Sequence, residues 1–120
     1  MAMTYSDKRR ERRVPLNILL NKYIDGEPHV CRAVNLSRGG MLVYKVFEPD
    51  LAHSEVSIEF QLPGSPRVLR ADGIALAEHA WARAHGIRFT RMAEEDKILI
   101  DRYLAGEVLD EETALSQPRR

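Results

Sequence analysis

A chain of 120 residues, 44% of them apolar, can bury one real core and is too short for two ordinary domains. Its 18 basic and 18 acidic residues balance, so no global field favours nucleic acid or an anionic membrane, yet residues 1–45 carry nine Lys and Arg against four Asp and Glu while residues 46–120 carry nine against fourteen. The lone Cys31 excludes an internal disulfide and no Cys/His grouping has metal-ligand spacing; no run of about 18 apolar residues and no leader-like start occurs, so a cytoplasmic protein without membrane insertion is expected.

The chain opens on a basic arm, Lys8-Arg9-Arg10-Glu11-Arg12-Arg13, taken as a flexible segment spanning residues 1–13. Val14 to Ile24 is rich in Leu and Ile, and Pro15 near its start argues for an early strand position over a helix interior. Asp25-Gly26-Glu27-Pro28 reads as a turn. In the strand that follows, simple alternation puts Val30, Arg32, Val34 and Leu36 on one side and Cys31, Ala33 and Asn35 on the other. Cys31 is expected as a small core residue. Met41 to Val46 resumes a strand, broken around Glu48-Pro49-Asp50.

Val56, Ile58, Phe60 and Leu62 alternate with Glu55, Ser57, Glu59 and Gln61, the clearest half-buried strand in the chain. Pro63-Gly64-Ser65-Pro66 is a hairpin signal leading into a strand from Arg67 to Glu78, and His79 to Arg83 leads on to Gly86-Ile87-Arg88-Phe89-Thr90. Six strand candidates in short succession predict a small antiparallel barrel. Beyond Thr90 the period changes. Ile98, Leu99, Arg102 and Tyr103 fall on neighbouring helical positions, Glu94, Glu95 and Asp96 suit a first turn, and the helix should end near Gly106. Residues 14–106 thus form the barrel and helix, and residues 107–120 a polar tail.

Two elements carry the chemistry. Arg9 and Arg13 are four apart, so their side chains point the same way in an extended or a helical arm. A guanidinium can fork onto guanine O6/N7 or a phosphate and can also stack on a base, which an ammonium cannot. The second element is the turn Asn35-Leu36-Ser37-Arg38-Gly39-Gly40. Asn35 and Ser37 offer an amide oxygen and a hydroxyl to guanine N–H groups, and Gly39 and Gly40 leave room beside them.

Arg9-Arg10-Glu11-Arg12-Arg13 matches the RxxxR element of PilZ domains, and Asn35-Leu36-Ser37-Arg38-Gly39-Gly40 their [D/N]xSxxG element, so the chain resembles a stand-alone PilZ domain over nearly its whole length. The resemblance implies a mainly β protein: a six-stranded antiparallel β-barrel of Greek-key or split-barrel type with a C-terminal α-helix. It also implies a receptor that binds cyclic di-GMP where arm meets barrel and needs no cofactor. Arg9, Arg10 and Arg13 would contact guanine and phosphate, Asn35, Ser37, Gly39 and Gly40 would hold a guanine from the barrel side, and Trp81 falls where similar domains place an aromatic contact. Asn35 departs from the more frequent Asp, which removes a charge favouring guanine N–H donors.

Blander readings stand beside these. A basic arm is commonly a solvated or polyanion-binding tail, Ser-x-x-Gly is commonly a turn bonding its own backbone, and Trp81 fits a half-buried barrel position. The four histidines share no spacing and read as surface or loop residues. No catalytic triad, paired carboxylates or phosphate-cradling Gly-rich sequence appears, so an enzyme is not expected. With no output domain in the chain, the signal should pass to an effector protein controlling motility, biofilm or exopolysaccharide, from a monomer or weak dimer. The alternatives are a nucleotide-independent adaptor of a motility or surface-assembly machine and nonspecific nucleic-acid binding by the arm. The scarcity of aromatics near the arm argues against the latter.

Overall fold

The computed structural model describes residues 12–45, 55–76 and 84–109. In chain order it contains β1 (Val14–Ile24), β2 (Glu27–Leu36), β3 (Gly40–Lys45), β4 (Glu55–Phe60), β5 (Leu69–Ala75), β6 (Ala84–Met92) and α1 (Glu94–Leu104). The strands close antiparallel in the order β1-β2-β3-β6-β5-β4, with β4 returning to β1. The mainly β architecture and the C-terminal helix read from the sequence are therefore present. The segments around Glu48-Pro49-Asp50 and from His79 to Arg83 lie outside the described residues.

Turn chemistry fixes the registers. Asp25 and Gly26 both have positive φ, 51° and 84°, the conformation of a two-residue hairpin whose twist matches its strands, and Tyr23 pairs Pro28 just beyond it. The turn is thus confined to Asp25-Gly26, and Glu27 and Pro28 already belong to β2. Between β4 and β5, Ser65 N–H donates to the Leu62 carbonyl at 3.0 Å, with Pro63 and Gly64 (φ 83°) in the central positions of a type II turn.

Alternate residues of each strand fill the barrel: Leu16, Leu20 and Ile24 from β1, and Val56, Ile58 and Phe60 from β4. Burying an aliphatic or aromatic side chain of this size stabilises the fold by about 1.5–3 kcal/mol. Cys31 is fully buried among them. The interior also holds polar groups. Lys22 of β1 is completely buried, and its Nζ lies 3.0 Å from His85 Nε2 of β6. The expectation that the histidines lie at the surface fails at His85, which occupies an inward position of β6 opposite Val43, where a hydrogen-bonded partner makes ring burial tolerable.

Strand β2 corrects the simple alternation. Cys31, Ala33 and Leu36 are all buried, so Leu36 shares the inner side with Cys31 and Ala33 and not with exposed Val30 and Arg32. The cause is a β-bulge. Ala33 pairs Val43 and Asn35 pairs Leu42, so two steps of β2 oppose one of β3; the extra residue switches the facing of every side chain after it. Asn35 is thereby turned to the outer face, beside Pro15 and Leu42, where strict alternation would have driven it into the core.

The helix is also rotated from the face its pattern suggested. Asp96, Ile100 and Leu104, four residues apart, are the buried positions, and Leu99 and Tyr103 pack partly against the core, whereas Ile98 is about half exposed. Asp96 sets this rotation. Its carboxylate accepts from Arg67 Nε at 2.7 Å and from the Arg70 backbone N–H at 3.3 Å, which draws a charged first-turn residue inward against the start of β5. Glu94, Glu95 and Asp96 do occupy the first turn, and Gly106, at φ 88°, donates to the Tyr103 carbonyl just past the last turn.

Candidate ligand-binding site

The β2–β3 connection is held from several sides. Ser37 N–H donates to the Gly40 carbonyl at 2.8 Å, and the Ser37 hydroxyl donates to the same oxygen at 3.2 Å. The hydroxyl proton is committed to the turn, so toward a ligand Ser37 acts through its oxygen, as acceptor for an N–H. On the far side, Phe89 N–H of β6 donates to the Gly39 carbonyl at 2.8 Å, tying the turn to a third strand.

Gly40 is required by packing. A Cβ there would stand 2.2 Å from the Ile87 carbonyl oxygen and 3.4 Å from the Arg88 Cα, because β6 crosses directly against it. The room expected beside this glycine is occupied by the β6 backbone. Its missing side chain allows the barrel to close at the turn.

Arg13 is brought to this turn by strand register. Val14 pairs Leu36 and Pro15 pairs Asn35, so exposed Arg13 stands one residue beyond, level with Ser37. Asn35, half-buried on the outer face, lies two pairs further along the same two strands, beyond the Val14–Leu36 pair. Arg9, Arg10 and Trp81 lie outside the described residues.

One contact of the turn carries no signal in either motif. Arg38, in the middle of the turn, forms a two-pronged pair with Asp101 of α1: Nε to Oδ1 and Nη2 to Oδ2, each at 2.9 Å. This fork of two parallel bonds holds the Asp101 carboxyl below its ordinary value of 3.8, with partial burial acting the other way. Only the helix rotation tells which carboxylate meets the turn; the bare sequence offers Glu94, Glu95, Asp96 and Asp101 alike. Arg38, Gly39, Phe89, Met92, Lys97 and Asp101 line a cleft of about 410 Å³ between turn and helix.

A larger groove of about 890 Å³ lies across β1, β4 and β5. Its polar groups are knitted together: Tyr23 Oη donates to Glu59 at 2.9 Å, Arg70 bridges Glu59 at 2.7 Å, and Ser57 Oγ donates to Asp72 at 2.9 Å. The Glu59 bond raises the Tyr23 phenol above 10.0. Among the described residues no His, Cys, Asp and Glu group could hold a metal ion, and no helix is long and apolar enough to cross a membrane.

Among solved structures the fold is similar to that of the Bacillus subtilis inhibitor of motility, MotI/DgrA, with a TM-score of 0.67 and 15% sequence identity. The likeness covers 93% of this chain and 53% of that protein, so the chain spans about half of its length. Comparison with functionally curated proteins finds no match. The model of the PilZ domain family matches residues 7–106, a span that takes in the basic arm from Asp7, all six strands and α1. The chain therefore belongs to the PilZ domain family.

Proposed function

We propose that this PilZ domain is a cyclic di-GMP receptor, with the nucleotide bound where the basic arm meets the β2–β3 turn, and that it passes the signal to an effector protein. The reading is carried by the register that sets Arg13 level with Ser37 while the β2 bulge turns Asn35 to the same outer face. A guanine seated there meets acceptors on Asn35 and Ser37, and the guanidinium groups of Arg9, Arg10 and Arg13 supply cations and stacking planes from the arm, with Gly39 and Gly40 beneath and Trp81 an aromatic neighbour. Each charge-assisted hydrogen bond adds roughly 1.5–3 kcal/mol, so several convergent ones reach sub-micromolar affinity after the cost of association.

A ligand on the turn would act on α1 through Arg38. The guanidinium is shared between its helix partner and any anion arriving at the turn, so phosphate competing for it loosens the Asp101 contact and alters the helix surface offered to a partner. The test is calorimetry with cyclic di-GMP on the wild type and on Arg9→Ala, Arg13→Ala and Ser37→Ala. Weakened binding in all three is expected; wild-type affinity in the variants would refute the assignment.

The second reading is an adaptor of a motility machine that acts without nucleotide, favoured by the fold shared with a protein described as an inhibitor of motility. Partner recovery in a pull-down that ignores added cyclic di-GMP would support it over the receptor reading.

A further inference from the structure

Most arginines of the described surface are already engaged: Arg32 with Asn17, Arg38 with Asp101, Arg67 with Asp96, Arg70 with Glu59 and Arg102 with Glu107. Arg12, Arg13, Arg88 and Arg91 form no side-chain hydrogen bond or ion pair with the described residues, and all are exposed. The first two belong to the arm. Arg88 belongs to neither motif, yet the strand register leads to it from the turn. Gly40 pairs Arg88 across β3 and β6, Ser37 is bonded to Gly40, and Arg13 is level with Ser37.

Arg13, Ser37, Gly40 and Arg88 thus form one row across β1, β2, β3 and β6, the first three at strand ends and Arg88 in mid-strand. Three interstrand steps of about 4.8 Å set the two arginines roughly 14 Å apart, with only a serine and a glycine between them. The backbone of Arg88 is fixed relative to the turn by the Phe89–Gly39 hydrogen bond and by the close passage of β6 against Gly40. Its outer-face neighbour on β5 is Ile74, and Asp72, the carboxylate further along β5, pairs with Arg91 in register and accepts from Ser57.

We infer that Arg88 is a ligand-contacting residue of the same site, binding a phosphodiester of the dinucleotide from the β6 side while Arg13 binds from the arm side. This rests on the cyclic di-GMP reading above. An exposed guanidinium with no carboxylate partner keeps its full donor set for an anion, and a saddle of small residues lets a flat ligand lie between two long cationic side chains.

The experiment is a calorimetric titration of the full chain with cyclic di-GMP, comparing wild type, Arg88→Ala, Arg88→Lys and Arg70→Gln, with thermal melts of each. Arg88→Ala should weaken binding by about ten- to a hundred-fold, the range of one charged hydrogen-bonded contact, with Arg88→Lys recovering part of the loss and Arg70→Gln binding as wild type. The melts of the Arg88 variants should match wild type, since the Arg88 side chain forms no hydrogen bond or ion pair with the described residues. In the wild type the Arg88 Nε–H resonance should move on saturation with ligand. Wild-type affinity in Arg88→Ala, or an unmoved resonance, would overturn the inference while leaving the receptor reading intact. No binding by the wild type would overturn both.

Discussion

Replacing Gly40 by alanine tests whether this motif glycine serves the ligand or the barrel. The added Cβ meets the Ile87 carbonyl oxygen at 2.2 Å, and ordinary contact begins at 3.4 Å, so β6 must retreat by 1.2 Å. That movement would stretch the 2.8 Å bond from Phe89 N–H of β6 to the Gly39 carbonyl beyond hydrogen-bonding range. One lost hydrogen bond at about 0.5–1.5 kcal/mol, added to an overpacking cost of about 1–3 kcal/mol, gives a destabilisation of roughly 1.5–4.5 kcal/mol. At about 4–8 °C per kcal/mol for a small domain, the melting temperature falls by roughly 6 °C or more. Two controls bracket it. At Gly86 the nearest atom to a new Cβ is Leu76 Cδ1 at 3.5 Å, so Gly86→Ala should melt at or slightly above wild type, because alanine restricts the unfolded chain. At Gly26 there is open space but φ is 84°, so Gly26→Ala pays backbone strain of about 1–2 kcal/mol and falls between. Calorimetric melts of the three variants decide the matter, and a Gly40→Ala protein melting with Gly86→Ala would refute the argument. The expected result also warns that lost cyclic di-GMP binding in a Gly40 variant reports a displaced β6 and not a missing ligand contact.

The Arg38–Asp101 bridge should show a definite pH dependence. Asp101 titrates lower in the folded than in the unfolded chain, so its contribution is complete above the ordinary value of 3.8 and is lost as pH falls through the lower folded value. Denaturant titrations of wild type and Asp101→Asn should differ by no more than about 1 kcal/mol at neutral pH, the exposure of both partners limiting the effect, and should converge at the most acidic pH; a gap that widens with acid would contradict the bridge. Asp96→Ala should cost more, about 1–3 kcal/mol, because it leaves the Arg70 N–H and Arg67 without their buried acceptor; hydrogen exchange should show α1 opening more readily, and unchanged α1 protection would argue against Asp96 as its anchor. Removing the Glu59 acceptor by Glu59→Ala should lower the Tyr23 phenol toward 10.0 in a spectrophotometric titration, and no downward shift would deny the bond its role.

The sequence by itself determined the strands, the Asp25-Gly26 and Pro63-Gly64 turns, the acidic start of α1 and its end at Gly106, because each depends on local periodicity or on the conformational habits of Gly, Pro and Asp. It also determined the family, since RxxxR and the [D/N]xSxxG turn are short contiguous patterns. Tertiary structure decided how those pieces face. The extra residue in β2 arises from pairing with β3, and only that pairing turns Asn35 outward and Leu36 inward. Likewise, Asp96 rotates α1 because Arg67 and Arg70 await it, Asp101 then meets Arg38, and Gly40 is needed because β6, remote in sequence, passes within contact of it. Such choices depend on which strand arrives alongside and at what register, a quantity no local pattern contains.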